Sequence, residues 1–491
     1  MLAPLDLAIL ILYIAGIVSM GGWFFKRSRT TEGFTKAAGR LPGWVVGLSI
    51  FGTYVSSISF LANPGKSYAA NWNPWVFGLS LPLVAWIACK WFVPFYRNQG
   101  HISAYAHLEH RFGAWARTYA GICYLLTQLA RVASILYLVA IALKPLTGWD
   151  VSTIIIITGI LVTLYTLLGG IEAVIWTDVV QSIVLTFGAI FCVALILMGM
   201  PEGPGQIFMI ASEHGKFSLG SLSLDLTSST FWVLLAFGFV INLQNFGIDQ
   251  SYVQRYHTAR DEKAAKKSVW IAALLYIPIS GLLFFVGTAL FAFYLAQPEL
   301  LPAGDYSSDD IFPHFIATQL PPGATGLLVA AIFAAAMSSV DTSLNSSSTL
   351  ILEDFYKRYI NPNASERGSM RVLYLSTLVL GIGGTLFAIN RMGEENVLDD
   401  WWKLSGIFAG GILGLFLLGM IARTARWPAA LVGVLCGLAL ILWMTFSPEW
   451  SEDWARWRSP FHNSLIVVFS TMTIFAVGMA ITAMSKPKTR D

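Results

Sequence analysis

GTYVSSIS, residues 52–59, interrupts an apolar segment that runs from 43 to 71. A second apolar segment, 230–255, carries NLQNFG at 242–247. A membrane helix satisfies its own backbone polar groups. A polar, glycine-bearing interruption at bilayer depth is therefore tolerated where it is buried in protein or lines a cavity. Interruptions at matching places in two halves of a chain point to a substrate site near the midplane. Taken singly, each cluster could also be small polar residues at a helix contact. The two segments open two five-segment blocks, 43–200 and 230–422, flanked by further segments at 6–25, 427–447 and 462–484.

Composition agrees with a membrane protein. The chain has 491 residues, 56% hydrophobic and 12% charged, with a mean hydropathy of +0.64. A soluble chain carries roughly 25% charged residues. The net charge of +3 gives no reason to expect nucleic acid as a partner; membrane lipids are the expected surroundings. Cys89, Cys123, Cys192 and Cys436 all lie in apolar runs and form neither a disulfide framework nor a metal motif. No nucleophile–base pair or phosphate-cradling loop is present, which argues against an enzyme, and the seven histidines read as surface residues of loops and segment ends.

About thirteen segments reach the roughly 20 residues needed to span a bilayer. They are 6–25, 43–71, 74–96, 117–146, 151–170, 173–200, 230–255, 268–296, 323–354, 370–390, 402–422, 427–447 and 462–484. The link between the fifth and sixth is only Gly169-Gly170 and its neighbours. The first run has no Lys or Arg before it and basic residues after it, the reverse of a cleavable signal peptide. With the N-terminus outside, one face gathers Lys26, Arg27, Arg29, Lys36, Arg40, Arg97, Arg111, Arg117 and the basic run at 255–267. It also gathers the basic residues at 357–371, Arg423, Arg426, Lys486, Lys488 and Arg490. The opposite loops are acidic or neutral, as in PELLPAGDYSSDD and MGEENVLDD. This positive-inside pattern predicts a cytoplasmic C-terminus.

Arg131 lies about half-way along the fourth segment, in CYLLTQLARVASILYLVAIAL (123–143). A cation at that depth needs an anionic partner or a water-filled cavity. A guanidinium fork suits a carboxylate, so Arg131 reads as the anchor of an acidic substrate. A structural ion pair is the alternative. Gln128, one turn earlier, shares its face. The ninth segment carries MSSVDTSLNSSS (337–348), dense in hard oxygen donors that suit a small hard cation. Ser338, Asp341 and Thr342 share a face, with Ser339 beside it. The alternative is hydroxyls bonding back to their own helix. Asp178, in GGIEAVIWTDVVQ, is either a helix cap or a cation ligand facing the ninth segment. Asp249 and Arg255, in DQSYVQRY, read as gate or helix-end residues because of their interfacial depth.

GTYVSSISFLANPGKSY, GGIEAVIWTDVVQ, DQSYVQRY and AAIFAAAMSSVDTSLNS together resemble the sodium:solute symporter family over essentially the whole chain. Within it the chain is most similar to the bacterial sodium/sialic acid symporters, through the arginine of QLARVASILYL. The resemblance implies an all-α LeuT-like fold of thirteen helices. Two inverted five-helix repeats would carry broken second and seventh helices. It implies alternating access in a bacterial inner membrane, with sodium as the coupling ion, one or two per cycle. The first sodium site would use the carbonyls of Gly52, Val55 and Ala335 and the hydroxyls of Ser338 and Ser339. A second would use Asp178, Ser338, Asp341 and Thr342. The substrate pocket would use Tyr54, Ser56, Ser57, Ser59, Gln128 and Arg131, with Arg131 on the carboxylate. The chain departs from the pattern at Asp341, which stands for a hydroxyl residue, at Tyr54, which stands for threonine, and at Gly78-Leu79, where the pattern has a glutamine. The implied substrate is a carboxylated sugar such as sialic acid. A neutral sugar or another organic acid is the rival cargo, and a non-transporting sensor the remoter alternative.

Overall fold

The computed structural model describes residues 2–24, 28–301, 306–390 and 397–485. Lys26, Arg27, Lys486, Lys488 and Arg490, with residues 302–305 and 391–396 of the acidic loops, lie outside the described residues.

Among the described residues, 11 helices are long and apolar enough to cross a bilayer. A bent pair adds a twelfth span. A shorter apolar helix, Val151–Leu164, stands where the fifth segment was expected, so all thirteen segments are helical. In order, the spans are Pro4–Phe24, the pair Gly43–Tyr54 with Ile58–Ala69, Asn73–Gln99, Ala114–Thr147, Val151–Leu164, Gly169–Met198 and Phe231–Ile248. Then come Glu262–Ala296, Ala324–Ile360, Glu366–Asn390, Trp401–Ile421, Trp427–Glu449 and Leu465–Met484.

The fifth and sixth spans are joined without a loop. Helical structure continues from Val151 to Met198, broken only at Gly170 (φ 58°, ψ −176°). That left-handed φ favours glycine. A Cβ there would also fall 2.8 Å from Ser28 Oγ, whose hydroxyl donates to Gly169 O at 2.6 Å.

The second span breaks where the sequence is polar. Its two halves are bent by 58°, and Val55 leaves the helical region (φ −88°, ψ 87°). Gly52 lets this span press against the sixth, because a Cβ there would lie 2.5 Å from Ser182 Oγ.

The seventh span breaks in a different place from that expected. Residues 242–247 stay helical, and the chain turns at Asp249 (φ −71°, ψ 128°) before the helix Gln250–Thr258. Asn242 spends its amide on other elements, donating to Phe77 O (3.0 Å) and Ser80 Oγ (2.9 Å), so it does not compete with its own backbone ladder. Asp249 caps the next helix by accepting from Ser251 N at 2.8 Å.

The ninth span is the core of the molecule. Its most apolar window is 94% buried, against 11% for the first span. It packs against the first, second, fourth, sixth and tenth spans. A helix enclosed on all sides in this way can expose polar residues only to other helices. This is how a serine-rich sequence comes to lie beside the broken second span.

Candidate substrate and cation site

The break in the second span leaves backbone oxygens without helical partners. The last carbonyls of any helix lack them, and the helix Gly43–Tyr54 ends at the centre of the molecule. Two neighbouring spans use these oxygens. From the ninth, Ser338 Oγ donates to Gly52 O at 2.9 Å and Ser339 Oγ to Thr53 O at 3.4 Å. From the fourth, the Arg131 guanidinium donates to Thr53 O.

The hydroxyls of the ninth span differ in their partners. Ser343, Ser346, Ser348 and Thr349 bond back to Ser339 O, Thr342 O, Asn345 O and Asn345 O. Ser338 and Ser339 reach across to the second span instead. The structure therefore gathers Gly52 O, Ala335 O, Ser338 Oγ and Ser339 Oγ at one place, with Ser338 Oγ 3.3 Å from Ala335 O. Val55 lies at the adjoining break. These are neutral, hard oxygens, a set that fits a small hard cation. The Thr53 carbonyl joins them; no side-chain motif signals it.

A cavity of about 110 Å³ opens beside the break. Tyr54, Ser56 and Ser59 line it from the second span, and Gln128 and Arg131 from the fourth. Ser57, expected among the pocket residues, does not line it. Ser57 is fully buried and its hydroxyl makes no hydrogen bond. The helical turn after the break carries Ser56 and Ser59 to the cavity and Ser57 away from it.

Tyr54 forms one wall. Its hydroxyl donates to Asn242 Oδ1, and its ring meets Tyr276 edge-on at 4.6 Å between centroids. Gly78 makes room for that pair, since a Cβ there would lie 2.9 Å from the Tyr276 ring. The two departures at Tyr54 and Gly78 are thus one packing arrangement. Asp249 also faces the cavity, with Gln128 Nε2 3.5 Å from Asp249 Oδ2.

Arg255 is not at a helix end facing the interface. It is 1% exposed, and Asp178 is fully buried beside it. Its guanidinium donates to Asp178 Oδ2 (2.9 Å), Thr342 Oγ1 (2.6 Å), Ser49 Oγ (2.8 Å) and Ser251 O (3.0 Å). Asp178 is accordingly no helix cap. Of the four residues expected at the second sodium site, Asp178 and Thr342 meet at one nitrogen of Arg255, and Asp341 adjoins Thr342. Ser338 reaches Gly52 O, Thr342 Oγ1 accepts from Arg255, and Asp341 accepts from Thr342 N at 2.6 Å. One histidine departs from the surface reading: His257 is 9% exposed, on the helix after Asp249.

Comparison with known proteins shows the family. The chain is 35% identical over 439 residues to the sodium/sialic acid symporter NanT of Aliivibrio fischeri, covering 88% of this chain and 86% of that one. It is 36% identical over 442 residues to the sodium/sialic acid symporter SiaT of Proteus mirabilis, covering 89% of each. A solved substrate-bound, outward-open Na⁺-coupled sialic acid symporter superposes with a TM-score of 0.89 at 33% identity, over 99% of both chains. Mhp1, a nucleobase-cation-symport-1 family transporter, superposes with a TM-score of 0.59 at 15% identity, which shows a shared LeuT-like fold. Residues 34–437 match the model of the sodium:solute symporter family, and the chain belongs to that family.

Proposed function

We propose that the protein is a sodium-coupled symporter that imports a carboxylated sugar, sialic acid (N-acetylneuraminate), by alternating access. The observation that carries this is Arg131, a mid-membrane guanidinium at the wall of a central cavity, joined through Thr53 O to the oxygens around Ser338 and Ser339. Arg131 holds the substrate carboxylate, with Tyr54, Ser56, Ser59 and Gln128 around the remainder. Sodium binds the carbonyls of Gly52, Val55 and Ala335 with the hydroxyls of Ser338 and Ser339. The relatives named above transport sialic acid with sodium, which supports the same cargo and coupling ion here.

The proposal includes two inverted repeats, 43–200 and 230–422, working in a bacterial inner membrane with the N-terminus outside and the C-terminus inside. The distribution of basic residues supports that orientation. It also includes a second sodium ion near Asp178 and Asp341. Each sodium entering a negative-inside cell gains roughly 2.3 kcal/mol per 100 mV. A single sodium would be cancelled electrically by the sialate charge; a second makes uptake electrogenic.

A second reading is a smaller organic acid. The Tyr54–Tyr276 wall supports it, because that pair fills cavity space that a small residue at 54 would leave open. Uptake of labelled sialic acid into proteoliposomes, with and without an inward sodium gradient, tests the proposal. Sodium-driven accumulation supports it. Sodium-driven uptake of a smaller carboxylate without sialic acid uptake selects the second reading.

A further inference from the structure

The link between the first and second spans meets the start of the tenth. Arg29, from that link, joins Glu366, Arg367, Met370, Arg371 and Tyr374, from the helix Glu366–Asn390, around a hollow of about 450 Å³. Both links involved follow odd-numbered spans, so the hollow opens on the face that the positive-inside pattern makes cytoplasmic. Its single carboxylate, on Glu366, already accepts from Thr31 N. Three arginines against one glutamate leave the lining with two positive charges.

Other arginines on this face hold carboxylates: Arg40 that of Glu172, Arg117 that of Asp354 and Arg358 that of Glu109. Among the described residues, Arg367 and Arg371 hold none. Arg367 also lies in the first turn of its helix, where the dipole disfavours a cation. An anion in the hollow relieves both costs, and a guanidinium fork matches a phosphate with paired hydrogen bonds.

The surface beside the hollow narrows the kind of phosphate. Arg367 and Arg371 share a face of the tenth span with Leu375, Leu378 and Ile382, by helical spacing. Leu375 is 62% exposed and Ile382 52%. One face of one helix thus carries cations at its cytoplasmic end and bare aliphatic side chains along the membrane. An anionic headgroup followed by an acyl chain has the same order of chemistry.

We propose that Arg29, Arg367 and Arg371 bind the headgroup phosphate of an anionic phospholipid, whose acyl chain lies along Leu375, Leu378 and Ile382. Basic hollows between spans on the cytoplasmic side suit such headgroups. The bound lipid ties the first link to the tenth span. Within that link, the helix Thr31–Lys36 presents Phe34 edge-on to Tyr374, 5.9 Å between centroids, and Thr35 O accepts from Gln254 Nε2 at 2.8 Å. Gln254 belongs to the helix that follows the Asp249 turn. The lipid therefore steadies the inner ends of several spans at once, whatever the cargo.

The test uses the purified full-length protein, stripped of lipid in detergent. It is titrated separately with phosphatidylglycerol, with phosphatidylethanolamine, whose ammonium offsets its phosphate, and with inorganic phosphate. Native mass spectrometry counts bound lipid, and thermal unfolding reads its effect. Phosphatidylglycerol is expected to bind and to raise the unfolding temperature by mass action; the other two are expected to do so far more weakly. Arg367→Gln with Arg371→Gln is expected to raise the half-saturating phosphatidylglycerol concentration roughly tenfold or more. Arg423→Gln, at an exposed cation of the same face outside the hollow, is expected to leave it unchanged. Unfolding of the lipid-free variants at the wild-type temperature shows that they are folded. Where the double variant unfolds early, Arg371→Gln alone carries the test, with a smaller shift in the same direction. Equal phosphatidylglycerol affinity in wild type and these variants overturns the site, as does an equal effect of phosphatidylethanolamine. An equal effect of inorganic phosphate overturns the lipid in favour of a soluble anion.

Discussion

Arg131 of the fourth span and Ser339 of the ninth donate to the same oxygen, the Thr53 carbonyl of the broken second span. The proposed substrate anchor and a proposed cation ligand therefore share one backbone group. When the Arg131 fork turns to a substrate carboxylate, Thr53 O loses a charged donor and the local potential becomes more negative. Cation binding at the break then becomes more favourable, and linkage makes the effect reciprocal.

Arg131→Ala is expected to remove uptake of the acidic substrate, and Arg131→Lys to retain only a small part of it, since an ammonium lacks the bidentate fork. Initial uptake rates in proteoliposomes check this. Undiminished uptake by the alanine variant would place the carboxylate elsewhere.

Ser338→Ala and Ser339→Ala each delete a hydroxyl that reaches the second span. Loss of one neutral ligand corresponds to about 1–3 kcal/mol, or roughly a five- to hundredfold rise in half-saturating sodium. The sodium titration of uptake measures it. Ser348→Ala, whose hydroxyl bonds back to Asn345 O, should leave that titration unchanged.

Tyr54→Thr opens the wall that Tyr54 and Tyr276 form. It should raise the affinity for bulkier carboxylated sugars relative to small acids. Competition of a panel of unlabelled acids against labelled substrate reads the change. An unaltered order of preference would remove Tyr54 from the specificity wall.

Arg255→Met leaves Asp178 buried without its cation. Breaking a buried pair costs about 3–5 kcal/mol, so thermal unfolding in detergent should occur at lower temperature. Adding Asp178→Asn should recover much of the loss, because no buried charge then remains at 178. A double variant no more stable than Arg255→Met would contradict the pairing.

His257 gives a pH dependence. Burial, with Lys36 and Arg97 nearby, lowers its pKa to about 4. The unfolded chain has the ordinary value near 6.5. Between these values the unfolded state binds more protons, so stability falls as pH drops from about 6.5 toward 4. His257→Gln should flatten that part of the stability–pH curve.

The spans were mostly legible because apolar length decides whether a helix can cross a bilayer; the expected thirteen compare with 11 or 12 helices of that length among the described residues, the fifth segment being the shorter helix Val151–Leu164. The break at Val55 was legible too, since polar residues and Gly52 cluster there. The seventh-span break was misplaced because Asn242 looks like a helix breaker in sequence but spends its amide on Phe77 and Ser80. Ser57 was indistinguishable from Ser56 and Ser59 until the turn direction was known. Arg255 was judged by its depth along the segment. The clue that could have found it was the need of Asp178 for a counter-ion.

The most direct measurement is the affinity of the purified protein for sialic acid by calorimetry, at zero and at saturating sodium. The coupling through Thr53 predicts that sodium tightens binding several-fold or more, and that Arg131→Ala abolishes binding under both conditions. Equal affinity with and without sodium would contradict the account.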